Sequence, residues 1–497
     1  MSASRNNRFA RYFRYIPSKT LSFDYIRSED KVFFDALGAE GIMARLDSAI
    51  DSCRERIAEG RYPEETLSRE FLLLEILNAV RGAAAAESKE FRSVIKVVNA
   101  TGIVIHTNLG RAPLPEPGES FRAVSGGYSN LEFDLATGGR GKRDRHVSAL
   151  LAKLTGAEDS IVVNNNASAV LLVARTFSNR REAVIARGES VEIGEGFRIT
   201  EMLRIGGARI VDVGATNSVK VSDYEDAVNE KTGLIVKVHP SNFTLSGFVR
   251  QIDPALVPAL ASKHGVVSYF DAGSGLVSSG IFEGLKVVSD EPEVRSLIAA
   301  GFDVVSFSGD KLFGSVQCGI ICGRADLIAK MRRNQLYRAL RVSKAVIASL
   351  QDAACEYLFG DPGRKIPVVR MLNESGEKIE IRALNFLETV SGFAQYRAAK
   401  KFMATEIVTG RAMAGGGTTP GATLENKVLR IRFLKNAPAG ANLASLAAAM
   451  RRATIPVIGY VDSNSYFLNF RTISDGEVAY AAASFAFALG EIFNFSE

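Results

Sequence analysis

The feature that most constrains this chain is a rhythm running through its middle. Short runs rich in Val and Ile, at residues 160–163, 183–186, 209–213, 234–238, 266–270 and 304–307, alternate with amphipathic stretches such as 147–154, 167–177 and 254–263. Runs of four or five residues are too short for buried helices, and the intervening segments carry the helical period. Strands without polar alternation are buried on both faces, as in a mostly parallel sheet wrapped by helices. The rhythm therefore predicts an α/β fold for 93–360. It also directs attention to the residues just after each run, because ligands of such sheets sit beyond the carboxyl ends of the strands.

The flanks read differently. Residues 29–90 are helical in period, with Ile42, Leu46 and Ile50, and again Leu72, Ile76 and Val80, spaced by four. Residues 1–92 are taken as a helical N-terminal domain. From about Gly360 strands and helices follow one another as in a small α+β domain. Residues 428–433 alternate apolar and basic side chains, 456–460 and 466–470 flank a turn at Asp462–Ser463–Asn464–Ser465, and 476–489 is helical. Residues 361–497 are taken as this C-terminal domain, with 410–421 a glycine-rich loop.

At 497 residues the chain has room for these three parts. No apolar run approaches the ~18 residues of a membrane helix. Its four cysteines, Cys53, Cys318, Cys322 and Cys355, make no disulfide framework and fit a reducing cytoplasm. Cys318 and Cys322 lie in a strand-like run that places both, with Ile320, on one face. They read as buried strand cysteines, and no metal site is expected. The net charge of +6 is concentrated at the start: Arg5, Arg8, Arg11, Arg14 and Lys19 precede the first acid and are interleaved with Phe9, Tyr12, Phe13 and Tyr15. Such a head suits phosphate neutralisation and base stacking; a disordered tail or an organelle transit peptide has the same composition.

Three strand ends carry chemistry. Val163 passes through Asn164–Asn165–Asn166–Ala167–Ser168 into a helix, whose free N–H groups suit a phosphate. Asp271 follows Tyr269–Phe270, where it can cap a turn or pair with a protonated pyridine nitrogen. Lys311 follows the run at 304–307, between Gly309 and Gly314 and beside Asp310. The order phosphate loop, Asp, Lys resembles fold-type I pyridoxal phosphate enzymes, with Lys311 as the Schiff-base residue and then the base at the substrate Cα. Asn242, in Val238–His239–Pro240–Ser241–Asn242, is placed like the residue that hydrogen-bonds the cofactor's phenolic oxygen in that superfamily.

Longer motifs make the resemblance specific. Asn99 through Ala112, Asn130 through Asp134, Gly139 through Arg145, Arg187–Gly188–Glu189, Ser308 through Leu312, Arg338–Ala339–Leu340–Arg341 and Pro456 through Gly459 are similar to bacterial selenocysteine synthases, the L-seryl-tRNA(Sec) selenium transferases. The resemblance runs from about Val97 to Thr472 and is faint before residue 92. It implies conversion of seryl-tRNA(Sec) to selenocysteinyl-tRNA(Sec) through a dehydroalanyl-tRNA on pyridoxal phosphate, with selenophosphate as donor. It further implies Lys311, Asp271, Asn166, Ala167, Ser168 and Asn242 at the cofactor, Asp310 as a supporting carboxylate, and Arg111, Arg338 and Arg341 on phosphate. Guanidinium forks suit that task, and Arg338 and Arg341, at i and i+3 of a helix, are expected to point the same way. Arg140, Lys142, Arg143 and Arg145 face either a phosphate-rich ligand or solvent.

By the same resemblance the N-terminal domain holds tRNA and the protein is a homo-oligomer, a ring of dimers. The chain departs from the family pattern at Phe313–Gly314–Ser315–Val316–Gln317, where Leu-Gly-Gly-Pro-Gln is usual, and at Pro240, Phe243 and Glu195. The competing readings are a divergent pyridoxal phosphate lyase or transferase acting on a free amino acid or amino sugar, and an RNA-binding protein without catalysis.

Overall fold

The Val/Ile runs pair into one seven-stranded sheet. In the computed structural model, residues 10–90, 93–193, 196–282, 290–415, 418–419, 423–438 and 440–494 are described. Arg5, Arg8 and Phe9 of the basic head, Glu195, and Gly416, Gly417, Pro420 and Gly421 of the glycine-rich loop lie outside them. The chain divides into two compact units, Met1–Lys96 and Val97–Glu497.

The first unit is helical, as its period predicts. Helices α1 (Lys19–Glu29), α2 (Lys31–Ala58) and α3 (Arg69–Glu90) bury Ile26, Ile42, Leu46, Leu72, Ile76 and Val80 against one another. Ser18 caps α1 by accepting from Leu21 N–H at 3.2 Å. Within α2 the path breaks at Gly38, whose φ of 74° is open to glycine alone without strain. The described part of the basic head is folded onto this unit. Tyr12, Tyr15 and Ile16 pack against its core, Arg11 pairs with Glu64 at 2.9 Å, and Lys19 pairs with Asp47 at 2.6 Å. Two of its cations are therefore engaged within the unit, while the Arg14 guanidinium stands 4.9 Å from the centre of the Tyr15 ring.

The second unit is built on the large sheet. Its strands are β1 (Asp159–Val163), β2 (Glu182–Ala186), β3 (Arg209–Val213), β4 (Thr232–Val238), β5 (Val267–Gly273), β6 (Val304–Ser308) and β7 (Gly319–Gly323), in spatial order β1-β7-β6-β5-β4-β2-β3. All neighbours are parallel except those of β7, which runs antiparallel to β1 and β6. Side-chain alternation sends Val162, Ile320, Cys318 and Cys322 to one core and Ile161, Val163 and Ile321 to the other. Helices α4 (Arg145–Thr155), α6 (Leu256–Lys263) and α9 (Lys344–Phe359) cover the first face; α5 (Asn166–Phe177) and α7 (Ala325–Arg333) cover the second. A sheet sealed on both sides leaves its strand ends as the place where polar side chains meet.

Short helix α8 (Gln335–Ala339) follows α7 and ends before Arg341. The i, i+3 helical pairing expected for Arg338 and Arg341 is therefore not formed. Val342 is buried and its carbonyl accepts from Arg143 Nη1 at 2.6 Å.

The C-terminal part has its own core. Strands β8 (Met403–Ala412), β9 (Leu424–Phe433), β10 (Tyr460–Asp462) and β11 (Ser465–Asn469) form an antiparallel sheet in the order β8-β9-β11-β10, packed with α10 (Gly376–Ser391), α11 (Leu443–Arg452) and α12 (Val478–Phe493). Helix α12 is long and apolar enough to cross a membrane, and buries Phe485, Leu489 and Phe493 in this core. The hairpin arms are shifted from those read in the sequence. Its turn is Ser463–Asn464, with φ of 44° and 56°, and Val457–Ile458 instead pairs in parallel with Val98–Asn99. Residues 98–100 thus belong to the C-terminal core, although they stand at the start of the segment read as the large domain. Only tertiary packing reveals this, since the pairing spans most of the chain.

Candidate active site

The register of the sheet places four strand ends together. Gly319 stands opposite both Val163 and Ser308, and Asp271 pairs with Val238 and Ser306. Asn165 caps α5 by accepting from Ser168 N–H at 2.8 Å, so the N–H groups of Asn166 and Ala167 precede the first intrahelical bond. The Asn166 side chain turns toward the sheet, where its Nδ2 donates to Asp271 Oδ1 at 2.7 Å. Asp271 lies within β5 and is 7% exposed. Burial pushes its carboxyl up, against the pull of Asn166, Lys311, the Gly273 N–H and His239.

Lys311 sits in a turn pinned on several sides. Leu312 N–H donates to Ser274 O at 2.9 Å, Gly314 N–H to Lys311 O at 2.9 Å, Ser315 N–H to Gly309 O at 2.8 Å, and Gly309 N–H to Cys318 O at 2.9 Å. Gly314 has φ 66°, and a Cβ there would stand 2.5 Å from Ile366 Cγ2. Phe313, at the first position where the chain leaves the family pattern, is fully buried. It stacks on Tyr357 with ring centres 5.1 Å apart, and Tyr357 Oη donates to Phe313 O at 2.9 Å. The substitution is thus absorbed into the core beneath the turn. Lys311 is 7% exposed, and burial holds its amine below the usual lysine value. Arg111 acts in the same direction, while Asp271, Asp310 and Glu291 oppose it.

Arg111 reaches this turn from the other side. Its Nη1 donates to Asp310 Oδ2 at 2.9 Å, its N–H donates to His106 O at 2.9 Å, and its φ is 63°. A non-glycine residue in the left-handed region marks a position held by its surroundings. Arg111, Asp310, Lys311, Asp271 and Asn166 are therefore brought into one cluster, with Ala167 and Ser168 at the helix end beside it.

The other sequence candidates lie apart from this cluster. Asn242 is exposed, and its Nδ2 donates to Glu192 O at 2.8 Å. Arg338 is exposed. Arg341 donates to Glu132 Oε1 at 3.2 Å, the same carboxylate that takes Arg143 at 3.0 Å and lies 3.9 Å from Arg140. Arg145 pairs with Asp134. Glu132 and Asp134 so neutralise part of the 140–145 cation run, and Arg143 holds Glu132 below the usual carboxylate range.

Two polar residues near the centre received no role from the sequence. His239 follows β4 and donates its N–H to Asp271 O at 3.0 Å; Glu291, 6% exposed, lies with one oxygen 3.3 Å from His239 Nε2. An isolated Glu in Asp290–Glu291–Pro292 carries no motif, and its burial marks it only in three dimensions. Further back, Lys237 of β4 forms a buried ion pair with Glu189, whose second oxygen accepts from Val238 N–H at 3.0 Å.

The residues present fit pyridoxal phosphate. Among the described residues, Asn166 Oδ1, Ser315 Oγ and His106 Nδ1 are buried without hydrogen-bond partners around the Lys311 turn. Folded chains rarely leave such atoms unpaired, so their grouping at the strand ends suits a polar guest. A buried lysine, a carboxylate across from it and a free helix N-terminus supply the amine, the ring-nitrogen partner and the phosphate cradle that this cofactor needs.

The sequence matches the L-seryl-tRNA selenium transferase family over residues 97–474. The chain belongs to that family. It is 38% identical over 441 residues to an L-seryl-tRNA(Sec) selenium transferase of Carboxydothermus hydrogenoformans, covering 84% of this chain and 91% of the relative. With the enzyme of that name from Desulfomicrobium baculatum it shares 37% identity over 476 residues, covering 95% and 98%. Among solved structures, D-glucosaminate-6-phosphate ammonia-lyase superposes with a TM-score of 0.55 at 20% identity, covering 81% of this chain and 98% of that one. That likeness shows the shared fold alone. Membership makes this a pyridoxal phosphate-dependent transferase, in agreement with the fit of the site.

Proposed function

We propose that this protein converts L-seryl-tRNA(Sec) to L-selenocysteinyl-tRNA(Sec), with selenophosphate as the selenium donor. The observation that carries the reading is the buried Lys311, set among Asp271, Asp310 and Arg111 at the strand ends of a chain that belongs to the family. The relatives' coverage of nearly the whole chain favours it over a lyase or transferase of free amino acids or amino sugars.

Asn166 and Ala167 N–H groups, with Ser168, would hold the cofactor's phosphate, Asp271 would hold its ring nitrogen, and Lys311 would be its covalent anchor. Pyridoxal phosphate, when bound, supplies an electron sink for charge developing at the substrate Cα. Lys311, its amine kept below the usual value by burial, is suited to take the Cα proton. Asp310 orients the Arg111 guanidinium, which offers its remaining N–H groups to an oxyanion. Selenophosphate is assigned to Arg111 with Arg338 and Arg341, and Asn242 to the cofactor's phenolic oxygen, a role that requires it to leave Glu192 O. The seryl hydroxyl departs as water, the selenium of selenophosphate bonds to Cβ, and water cleaves the selenium–phosphorus bond to release phosphate.

The helical unit, with Arg14 displayed over Tyr15, is assigned to the tRNA. A cytoplasmic homo-oligomer completes the proposal. The test is turnover: seryl-tRNA(Sec) and selenophosphate should yield selenocysteinyl-tRNA with wild type and none with Lys311→Ala. Failure of the wild type, loaded with cofactor, would reject the reading.

A further inference from the structure

A cavity of about 310 Å³ borders the Lys311 centre, walled by His239, Phe243, Gln251, Asp290, Glu291 and Thr419 among others. Its wall is unusual in what it leaves unpaired. Among the described residues, His239 Nε2, Glu291 Oε2 and Thr419 Oγ1 are buried without a well-formed hydrogen bond, and Ser274 lies beside Glu291. His239 Nε2 and Glu291 Oε2 stand 3.3 Å apart and face one another as an ion-pair contact. The second Glu291 oxygen is committed, accepting from Thr419 N–H at 2.5 Å. Thr419 itself is β-branched with φ 46°, a conformation that costs energy and persists only where the surroundings impose it.

The place of the cavity matters as much as its wall. Glu291 acts electrostatically on Lys311, and the His239 N–H is bonded to Asp271 O, so two residues of the cavity wall adjoin the Lys311 centre. A phosphate or carboxylate would meet Asp290 and Glu291. A hydroxyl both donates and accepts, and so satisfies a carboxylate oxygen together with a ring N–H or a threonine hydroxyl. The substrate's amino group is committed to the Lys311 position and its carbonyl to the tRNA ester, which leaves the β-substituent to face the cavity.

We propose that this cavity is the subsite for the β-hydroxyl of the seryl group, with Glu291 accepting from it and His239 and Thr419 donating to it. The proposal rests on the seryl-tRNA reading above. It makes these residues determinants of specificity: a site built to hydrogen-bond a hydroxyl rejects the analogue that lacks it.

The test compares one tRNA(Sec) esterified with serine or with alanine, binding to the cofactor-loaded enzyme. Wild type should prefer the seryl form by about tenfold or more, the equivalent of one neutral hydrogen bond. Thr419→Val, equal in shape and keeping the N–H bonded to Glu291, should lower that ratio severalfold; Thr419→Ser should restore it, and Glu291→Gln should lower it. Affinity for uncharged tRNA and the visible cofactor band should stay at wild-type values in Thr419→Val, a pattern that general disruption would not produce. If Glu291→Gln fails to fold, Thr419→Val still decides. A wild type that turns over seryl-tRNA but binds both esters alike refutes the subsite and leaves the function standing, as does an unchanged ratio in Thr419→Val. A wild type with no turnover overturns both.

Discussion

Replacing Lys237 by Met tests the electrostatics beneath the site. Lys237 and Glu189 are each about 5% exposed or less, and the lysine is the only cation bonded to that carboxylate among the described residues. Met keeps the length and packing of the chain in β4 but leaves Glu189 with the Val238 N–H as its one strong partner. Breaking a buried pair from one side costs about 3–5 kcal/mol. Burial already pushes the Glu189 carboxyl up, against Lys237 and the Val238 N–H, and loss of the cation pushes it further.

The sign follows from proton binding. A carboxyl whose folded value is raised keeps its proton in the native state after the unfolded chain has released it. Stability is therefore present below the unfolded value and is lost as pH rises toward the folded one, at about 1.4 kcal/mol per unit. The deficit of Lys237→Met relative to wild type should widen between pH 5 and pH 8. The double variant Lys237→Met/Glu189→Gln keeps an acceptor for Val238 N–H and removes the charge, so its deficit should be smaller and flat with pH. The chain has no tryptophan, so far-ultraviolet circular dichroism would follow urea unfolding, with hydrogen exchange of the 232–239 peptide as a local probe. A deficit under about 1 kcal/mol, or one independent of pH, would refute the reasoning.

Other consequences are as direct. Lys311→Ala should abolish the visible cofactor band and borohydride trapping on this peptide, whereas Asp271→Asn should keep the attachment and lose turnover by about 100-fold or more. In cofactor-free protein, Asp310→Asn should move the pH midpoint of Lys311 amine modification lower and Arg111→Gln should move it higher, because Asp310 raises and Arg111 lowers that amine; equal midpoints would count against the cluster. Gly314→Ala forces a positive φ on alanine and drives its Cβ into Ile366. Its cost should be about 2–4 kcal/mol in the melting of the holoenzyme, with weakened cofactor retention as the companion readout.

Much of the site was legible before any coordinates. Asn166, Asp271 and Lys311 each follow a Val/Ile run, and in a parallel sheet the ends of such runs face one side, so their order along the chain implies their meeting. Arg111 could be placed only by family resemblance, because it arrives from a loop with no periodic signal. His239, Glu291 and Thr419 escaped notice for a related reason: a lone His, Glu or Thr acquires meaning only when burial leaves its polar atoms unpaired. Arg338 and Arg341 show the opposite failure. Their i, i+3 spacing implied a shared helical face, but burial of Val342 and its carbonyl's bond to Arg143 ended the helix between them. The hairpin arms failed alike, since Val457–Ile458 found the distant strand Val98–Asn99 in place of its local neighbour.

The sequence by itself determined the α/β layering, the helical first unit and the strand-end position of Lys311, because periodicity and strand-end position are local properties that survive as the chain folds. Only the tertiary structure decided which polar groups share a buried space. It folded Arg11 and Lys19 of the basic head onto their own unit, joined Arg111 to Asp310, and set His239, Glu291 and Thr419 around one cavity. Those groupings depend on burial and on contacts between residues as many as 199 positions apart, where no local pattern reaches.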